Sequence, residues 1–161
     1  MKAAMVDVAS LWNMGKLMGF ERIGYARLFE FLQSIGTHKN FGRQPVAAFT
    51  TTVPDYAFRM AEGAGFKVRR TSPGHDDSIL IEEMEPLVYP KTTELVLVSA
   101  DGGYIPTCDI KAAVGMKIYW VAARLSQNGT PIMGLELEKR LSNGAYEFVD
   151  LEPHARKVFF N

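Results

Sequence analysis

The sequence predicts an α/β fold in which helices cover a mostly parallel β-sheet. Five short apolar segments alternate with four segments of helical periodicity, and this alternation is typical of βαβ units. The run Leu-Val-Leu-Val at 95–98 is too short for a helix and apolar on both sides, which indicates a strand buried on both faces. With 161 residues, of which 47% are hydrophobic, the chain is long enough for one domain spanning residues 1–161.

The first quarter of the chain is predicted to form a strand, an irregular connection and a helix. Residues 3–8 are apolar and end beside Asp7, as expected of a short buried strand. Residues 9–13 are predicted to form a loop, and residues 14–19, which include two glycines, an irregular and mobile segment. Between 21 and 35 apolar residues recur at helical spacing until a glycine, which predicts an amphipathic helix.

The next part of the chain is predicted to form a strand, a helix and an edge strand. Residues 45–52 are rich in β-forming residues and end in threonines, whose hydroxyls would face the ligand-binding side of the sheet. Pro54 suits the first turn of a helix that continues to about Ala64. Residues 66–70 alternate apolar and basic side chains, which is typical of an edge strand because charge discourages pairing with another chain.

The second half of the chain repeats the alternation of helices and strands. Asp76 and Asp77 precede a helical pattern that extends to Leu87, and carboxylates are favoured in a first helical turn. The buried strand at 94–98 follows. The remaining predicted elements are a helix at 106–114, a strand at 116–122, a helix at 133–141, a sixth strand at 146–150 and a basic tail at 154–157.

The charge balance and the single cysteine limit the classes of function. The 18 basic and 18 acidic residues create no overall field that would attract a polyanion, so any nucleic-acid contact must be a local patch. Cys108 alone excludes an internal disulfide and a cysteine cluster for zinc, and indicates a reducing compartment. No apolar run approaches the ~18 residues that span a bilayer, and no signal-peptide pattern begins the sequence. We therefore expect a soluble, cytoplasmic protein without membrane contact.

Acidic and hydroxyl side chains follow two of the predicted strands. Asp7 ends the first strand, and Ser99 and Asp101 follow the strand at 94–98. The carboxyl ends of parallel strands meet at one edge of a sheet, where open α/β sheets hold their ligands. Asp101 has a second interpretation, because an aspartate after a strand often only opens a turn or caps a helix. Both interpretations remain open from the sequence.

Two basic segments are candidates for contact with nucleic-acid phosphates. Lys39 and Arg43 lie in the polar segment 37–44, which also contains one aromatic residue. Arg69 and Arg70 end the predicted edge strand. The alternatives are a solvated connection for the first segment and a solubilising strand face for the second. The functional hypothesis is that the four side chains form a phosphate-facing rim.

Four stretches of the chain form a recognisable combination of motifs. They are Asp7 followed by Ser10, Leu11 and Trp12; the helix end and strand at 64–68; Asp77 with Glu83 six residues later; and the segment Leu-Val-Ser-Ala-Asp-Gly-Gly-Tyr-Ile-Pro at 97–106. Together with residues 148–151 they resemble the NYN family of PIN-like nucleases, the group that includes the LabA-like proteins. The resemblance spans nearly the whole chain.

This chain departs from the family pattern at three positions. Ser10 stands where the family has asparagine, Glu83 where it has a second helix aspartate, and Gly103 where it has the second aspartate of the fourth-strand motif. Serine and glutamate can still offer oxygen to a metal ion or water, whereas Gly103 cannot.

The resemblance implies a three-layer, Rossmann-like fold of the PIN type, with helices on both faces of a sheet ordered 3-2-1-4-5. Asp7 and Asp101 would then meet at the topological switch point. The implied metal ligands are Asp7, Asp77 and Asp101, with Glu83 as a further candidate. Because clustered carboxylates repel and the set lacks histidine and cysteine, the cofactor is expected to be Mg²⁺ or Mn²⁺.

The function that the resemblance implies is hydrolysis of RNA phosphodiester bonds, with single-stranded RNA as the expected substrate. The catalytic set would comprise Asp7, Asp77 and Asp101, with Ser99 orienting Asp101 or a metal-bound water. Ser10 joins the basic rim as a candidate nucleic-acid contact.

The competing hypothesis is a catalytically weakened module that binds RNA or a protein partner in the crevice at the carboxyl ends of the strands. The glycine at position 103, in place of an acid, favours this hypothesis. A homodimer also remains open. A nucleotide-binding Rossmann protein is disfavoured because no glycine-rich phosphate loop follows the first strand.

Overall fold

The computed structural model describes residues 1–51 and 53–161, with the backbone but not the side chain of Asp76. The strands are β1 Lys2–Asp7, β2 Arg22–Ile23, β3 Val46–Thr50, β4 Lys67–Thr71, β5 Glu94–Val98, β6 Lys117–Ala122, β7 Glu147–Asp150 and β8 Phe159–Phe160. The helices are α1 Val8–Leu17, α2 Tyr25–Ser34, α3 Asp55–Ala64, α4 Asp76–Met84, α5 Ile105–Ala113, α6 Leu135–Ser142 and α7 Ala155–Val158. Short 3₁₀ turns span Gly102–Tyr104 and Glu152–His154.

The central sheet has six strands in the order β4-β3-β1-β5-β6-β7, and each neighbouring pair is parallel. The predicted α/β fold with a parallel sheet and helices is confirmed. Counted within this sheet alone, the strands follow the expected order 3-2-1-4-5, extended by β7 as a sixth strand beyond β6. Right-handed connections place α1 to α3 on one face and α4 to α6 on the other.

The central strands are buried because both of their faces carry small or branched apolar residues. Every residue of β1, β3 and β5 is buried, and the core extends from these strands to both helical layers. In contrast, every residue of β4 is exposed or half-buried, as expected of a strand at the edge of the sheet. No helix among the described residues is long and apolar enough to cross a membrane.

The segment after β1 is a helix, so the predicted loop at 9–13 and the irregular segment at 14–19 are wrong. Asp7 caps α1, which continues to Leu17 through Gly15. This glycine serves packing, because a Cβ atom at Gly15 would lie 2.6 Å from Cε1 of Phe159. A glycine that admits an aromatic ring and a glycine that breaks a helix look the same in the sequence.

A second, two-stranded sheet joins the start of the predicted helix at 21–35 to a segment just after the predicted basic tail at 154–157. Residues 22–23 pair antiparallel with residues 159–160, so α2 begins at Tyr25. Two-residue strands from opposite ends of the chain carry no periodicity that a sequence pattern could detect. The predicted strand at 45–52 ends at Thr50 in the structure, and Thr52 lies outside the described residues.

Lys2, at the start of β1, is fully buried at the amino-terminal edge of the sheet. Its Nζ donates hydrogen bonds to the carbonyl oxygens of Leu32 at 3.0 Å, Gln33 at 3.0 Å and Ile35 at 2.9 Å. These carbonyls lie at the end of α2, where a cation also complements the helix dipole. Burial lowers the pKa of Lys2, and the nearby Glu94 carboxylate opposes that shift.

Glu94, which pairs in register with Lys2, is the buried acid of the same edge. Its carboxylate accepts hydrogen bonds from the amides of Thr37 at 2.9 Å and His38 at 3.0 Å, and from the Tyr119 hydroxyl at 3.0 Å. Burial opposes ionisation, but these hydrogen bonds outweigh it and hold the pKa of Glu94 below its ordinary value. The loop at 37–44 is thereby fixed to the amino-terminal edge.

Candidate active site

Asp7 lies at the carboxyl end of β1 and is 3% exposed. Its Oδ1 accepts a hydrogen bond from the amide of Ser10 at 3.1 Å, which caps α1. Its Oδ2 accepts hydrogen bonds from the Ser99 hydroxyl at 3.3 Å and from the Tyr104 hydroxyl at 3.1 Å. The side chain is therefore an acceptor at the centre of a buried network.

Two serines connect the end of β1 to the segment after β5. The Ser99 hydroxyl, which is fully buried, donates to Asp7 and accepts from the amide of Asp101 at 3.0 Å. The Ser10 hydroxyl accepts from the amide of Ala100 at 2.8 Å. Ser99 thus orients the backbone of Asp101, as the sequence led us to expect. Ser10 joins the start of α1 to the same segment, whereas the sequence assigned it to nucleic-acid contact.

Tyr104 is the member of this network that sequence reasoning missed. Its side chain is fully buried, and its hydroxyl reaches Asp7 from the end of the 3₁₀ turn. The sequence offered one signal, since a tyrosine at a position expected to be buried needs a partner for its hydroxyl. A strand-end carboxylate is an obvious candidate for that partner.

Asp101 acts as the turn cap that one of the two interpretations expected, and its role as a ligand stays a prediction. Its Oδ1 accepts a hydrogen bond from the amide of Gly103 at 2.9 Å and caps the 3₁₀ turn. The residue is also exposed at the carboxyl-terminal edge of the sheet. Capping therefore occupies one oxygen and leaves the side chain accessible from solvent.

The carboxylates of Asp77 and Asp101 converge on Gly103. A Cβ atom built on Gly103 would lie 3.1 Å from Asp77 Oδ2 and 3.3 Å from Asp101 Oδ1. Gly103 is absent from the glycines with positive φ, so an L-residue meets no backbone strain there. Among the described side chains, no lysine, arginine or histidine forms an ion pair with either carboxylate.

The predicted three-carboxylate ligand set consists of the exposed Asp101, the half-buried Asp77 and the buried acceptor Asp7. The part of the chain that the structure describes contains no group of three or more histidine, cysteine, aspartate or glutamate side chains that could hold a metal ion. Asp77 and Asp101 fit a hard divalent cation, because they offer oxygen ligands beside an open glycine turn. Asp7 is instead directed into hydrogen bonds with Ser99 and Tyr104.

Glu83 is separated from the other predicted ligands. Its carboxylate lies 3.0 Å from Lys67 Nζ and 2.5 Å from Arg69 Nη1, both on the edge strand β4. Partial burial opposes its ionisation, but the hydrogen bonds from these two cations hold the pKa of Glu83 below its ordinary value. The prediction that Glu83 joins Asp77 as a metal ligand is therefore wrong. Glu83 lies six residues after Asp77 on α4, so its side chain lies on a different face of the helix, toward β4.

The basic residues of the predicted rim lie at different edges of the sheet. Arg69 is engaged by Glu83, whereas Arg70 is more exposed and packs its guanidinium 4.1 Å from the ring centre of Phe58. Lys39 and Arg43 are exposed in the loop fixed to Glu94 and Lys2, at the amino-terminal edge. They lie at the edge opposite Asp7 and Asp101, so this part of the predicted rim is wrong. Arg70 lies near the carboxyl end of its strand and forms a surface ion pair with Asp55 at 3.6 Å.

Comparisons of the chain with protein-family models, with curated proteins and with solved structures give no match in any of the three.

Proposed function

We propose that the protein is a metal-dependent ribonuclease of the NYN and PIN-like type, which hydrolyses phosphodiester bonds of single-stranded RNA at the acidic crevice. The observation that carries the proposal is the convergence of Asp77 and Asp101 on Gly103 without an ion-pair partner among the described residues. Carboxylates that approach one another repel unless a cation or a proton neutralises them. This pair also lies beside the ends of β1 and β5, where the direction of sheet winding reverses.

Asp77 and Asp101 are the residues that would hold Mg²⁺ or Mn²⁺. Oxygen ligands without histidine or cysteine suit these hard ions, and waters fill the positions around Mg²⁺ that the protein leaves vacant. When bound, such an ion activates water and stabilises negative charge on a scissile phosphate. The absence of an acid at Gly103 therefore weakens the ligand set without removing it.

The chain's own residues prepare the site in three ways. Ser99 fixes the backbone of Asp101 by accepting its amide hydrogen, and Asp7 fixes Ser99 in turn. Gly102 and Gly103 carry no side chain to obstruct a phosphate that approaches the two carboxylates. Asp7 thus serves as the positioning residue of the site, and its burial keeps the network free of competing water.

A second candidate function is a weakened module that binds RNA without cutting it. The specific observation in its favour is that Asp7 Oδ2 already accepts two hydroxyl hydrogen bonds, from Ser99 and Tyr104. A carboxylate oxygen has about two lone-pair directions, so a cation would have to displace one donor to bind there.

We also propose a cytoplasmic location. Cys108 is fully buried, and burial raises the pKa of its thiol to about 12, with the Asp109 carboxylate adding to the shift. This cysteine is the single one in the chain and so forms no internal disulfide, which suits a reducing compartment.

The test of the proposed ribonuclease is cleavage of a labelled single-stranded RNA in the presence of Mn²⁺. We expect activity in the wild type and its loss in Asp101→Asn. Asp150→Asn is the matched control, because Asp150 also ends a strand and also accepts the amide hydrogen two residues later, at 3.0 Å. Activity should survive that substitution.

Three results would decide between the two candidates. Cleavage that Asp101→Asn abolishes and Asp150→Asn retains supports the nuclease, because a contaminating enzyme would not respond to the difference. Cleavage that survives both substitutions contradicts it. RNA binding without cleavage in the wild type, followed by cleavage in Gly103→Asp, supports the weakened module.

A further inference from the structure

Two adjoining cavities lie at the end of β3 and along α3. The first has a volume of about 80 Å³ and the second about 60 Å³. Val53 and Pro54 line both of them, so the cavities meet at the start of α3. Since β3 pairs with β1 up to Asp7, the first cavity opens one strand away from the acidic network.

The first cavity combines a cation with hydroxyl groups. Arg70 lies on its wall, with the guanidinium over Phe58, and Thr51 and Thr71 line the same space. Arg70 Nη2 is 3.6 Å from Asp55, and the two side chains are 60% and 87% exposed, so the contact is a weak surface pair. An arginine fork and hydroxyl donors suit a phosphate group.

The second cavity is lined by aromatic and other large apolar side chains. Trp12 of α1 and Tyr56 and Met60 of α3 border it, and Tyr56 and Met60 are 60% and 48% exposed. Arg22 also lines this cavity, and the ammonium of Lys16 lies 4.8 Å from the centre of the Trp12 ring. The acidic Glu21 also lines this cavity. An exposed and a half-buried ring beside cations can stack unpaired bases and contact the connecting backbone.

We infer that these cavities form a binding track for single-stranded RNA, in which Arg70 contacts a phosphate and Trp12 with Tyr56 stacks an unpaired base. A duplex keeps its bases paired and presents no free face to the rings. The inference deepens the proposed ribonuclease by naming the residues that would hold the RNA strand, and rests on that proposal for RNA as the ligand.

Tryptophan fluorescence tests the inference directly, because the chain contains two tryptophans and Trp120 is fully buried. Titration with an oligouridine should quench the emission of Trp12, and the duplex form of a matched sequence should not. Trp12→Phe should remove the quenching and so assign the signal. Wild-type protein that binds neither RNA form overturns the inference and leaves the cleft to a protein partner, and equal binding of both forms also overturns it.

Substitutions along the track test its two halves by a binding titration. Tyr56→Ala should weaken binding on the order of tenfold, and Tyr56→Phe should retain it because the ring remains. Arg70→Ala should weaken binding and reduce the salt dependence by about one phosphate contact. Arg43→Ala, a matched exposed arginine at the other edge of the sheet, should change neither. Wild-type affinity in both Tyr56→Ala and Arg70→Ala overturns the track.

Failure of the track and failure of the ribonuclease give different results. Binding that depends on Tyr56 and Arg70, without cleavage under any metal condition, retains the track and contradicts the ribonuclease. The opposite result contradicts the track alone. In that case cleavage depends on Asp101, but Tyr56→Ala and Arg70→Ala bind and cut RNA as the wild type does.

Discussion

Charged residues lie at or just beyond both ends of the strands β1 and β5. The charged side chains at the two ends differ in sign, burial and partners. At the amino-terminal edge, Lys2 and Glu94 have opposite sign, are buried, and are surrounded by carbonyl, amide and hydroxyl partners. At the carboxyl-terminal edge, Asp7 and Asp101 have the same sign, and only Asp7 is buried. Charge is internally compensated at the first edge and left partly uncompensated at the second.

The difference suits a structural role for the amino-terminal edge and the cation site that we propose at the carboxyl-terminal edge. Burial of an ion is tolerated only with partners, so the complete set around Glu94 is what a structural acid needs. Asp101 and Asp77 lack a cationic partner among the described residues although they converge on one glycine. An arrangement of that kind suits a site completed by an external cation.

The largest expected effect is a difference in the free energy of unfolding between variants at the two edges. Glu94→Ala should lower the free energy of unfolding by about 3 kcal/mol, because it leaves the amides of Thr37 and His38 and the Tyr119 hydroxyl without their buried acceptor. Asp101→Ala should change it by no more than about 1 kcal/mol, since the residue is exposed and loses one turn cap. Urea denaturation measures both, and equal losses at the two edges would contradict the comparison.

The decrease in the free energy of unfolding at acid pH should also depend on Glu94 at the amino-terminal edge. The folded pKa of Glu94 lies below the ordinary value of 4.5, so the unfolded chain binds the proton more readily. This stabilisation is present above the unfolded pKa and is lost as pH falls through the folded pKa.

Glu94→Gln tests this linkage by urea denaturation across the acid range. The stability difference between wild type and variant should be largest near neutral pH and should narrow below the ordinary pKa of glutamate. A difference that stays constant across the acid range would show that Glu94 does not supply the linkage.

Removal of one tyrosine hydroxyl from each edge sharpens the comparison. Tyr104→Phe and Tyr119→Phe each delete a hydrogen bond to a carboxylate, at 3.1 Å and 3.0 Å, and each should lower stability by about 1 kcal/mol. Only Tyr104→Phe should weaken Mn²⁺ binding, because it removes a donor from the network of Asp7 and Ser99 that positions Asp101. Calorimetric titration with Mn²⁺ measures the affinity, and an equal response in both variants would contradict the positioning role of that network.

The parts of the fold that the sequence predicted are those that repeat an apolar pattern. The strand at 94–98 appears in the structure with the predicted bounds, since a doubly buried strand has a distinct composition. Helix α1 was missed because Gly15 admits the ring of Phe159, a contact from the far end of the chain. The pairing of β2 with β8 was missed for the same reason, because its partners are distant in sequence.

The sequence predicted where the residues of the candidate site lie better than it predicted their hydrogen-bond and ion-pair partners. Asp7, Ser99 and Asp101 do lie at neighbouring strand ends, because parallel strands carry their carboxyl ends to one edge. The sequence could not assign the partners of Glu83, since they are lysine and arginine on a strand that precedes its helix. The hydroxyl of Tyr104 was likewise invisible to a motif that specifies only an aromatic ring.

The most direct test of the account is a thermal melt with Mn²⁺ and with chelator, on wild type, Asp101→Asn and Asp150→Asn. At free Mn²⁺ about ten times the dissociation constant, binding to the folded state should stabilise it by about 1.4 kcal/mol. In a protein of this size that corresponds to a rise of roughly 3–6 °C in the melting temperature. The account predicts this rise in wild type and Asp150→Asn and its absence in Asp101→Asn. An unchanged melting temperature in the wild type, or the same rise in Asp101→Asn, would contradict a cation site at the carboxyl-terminal edge.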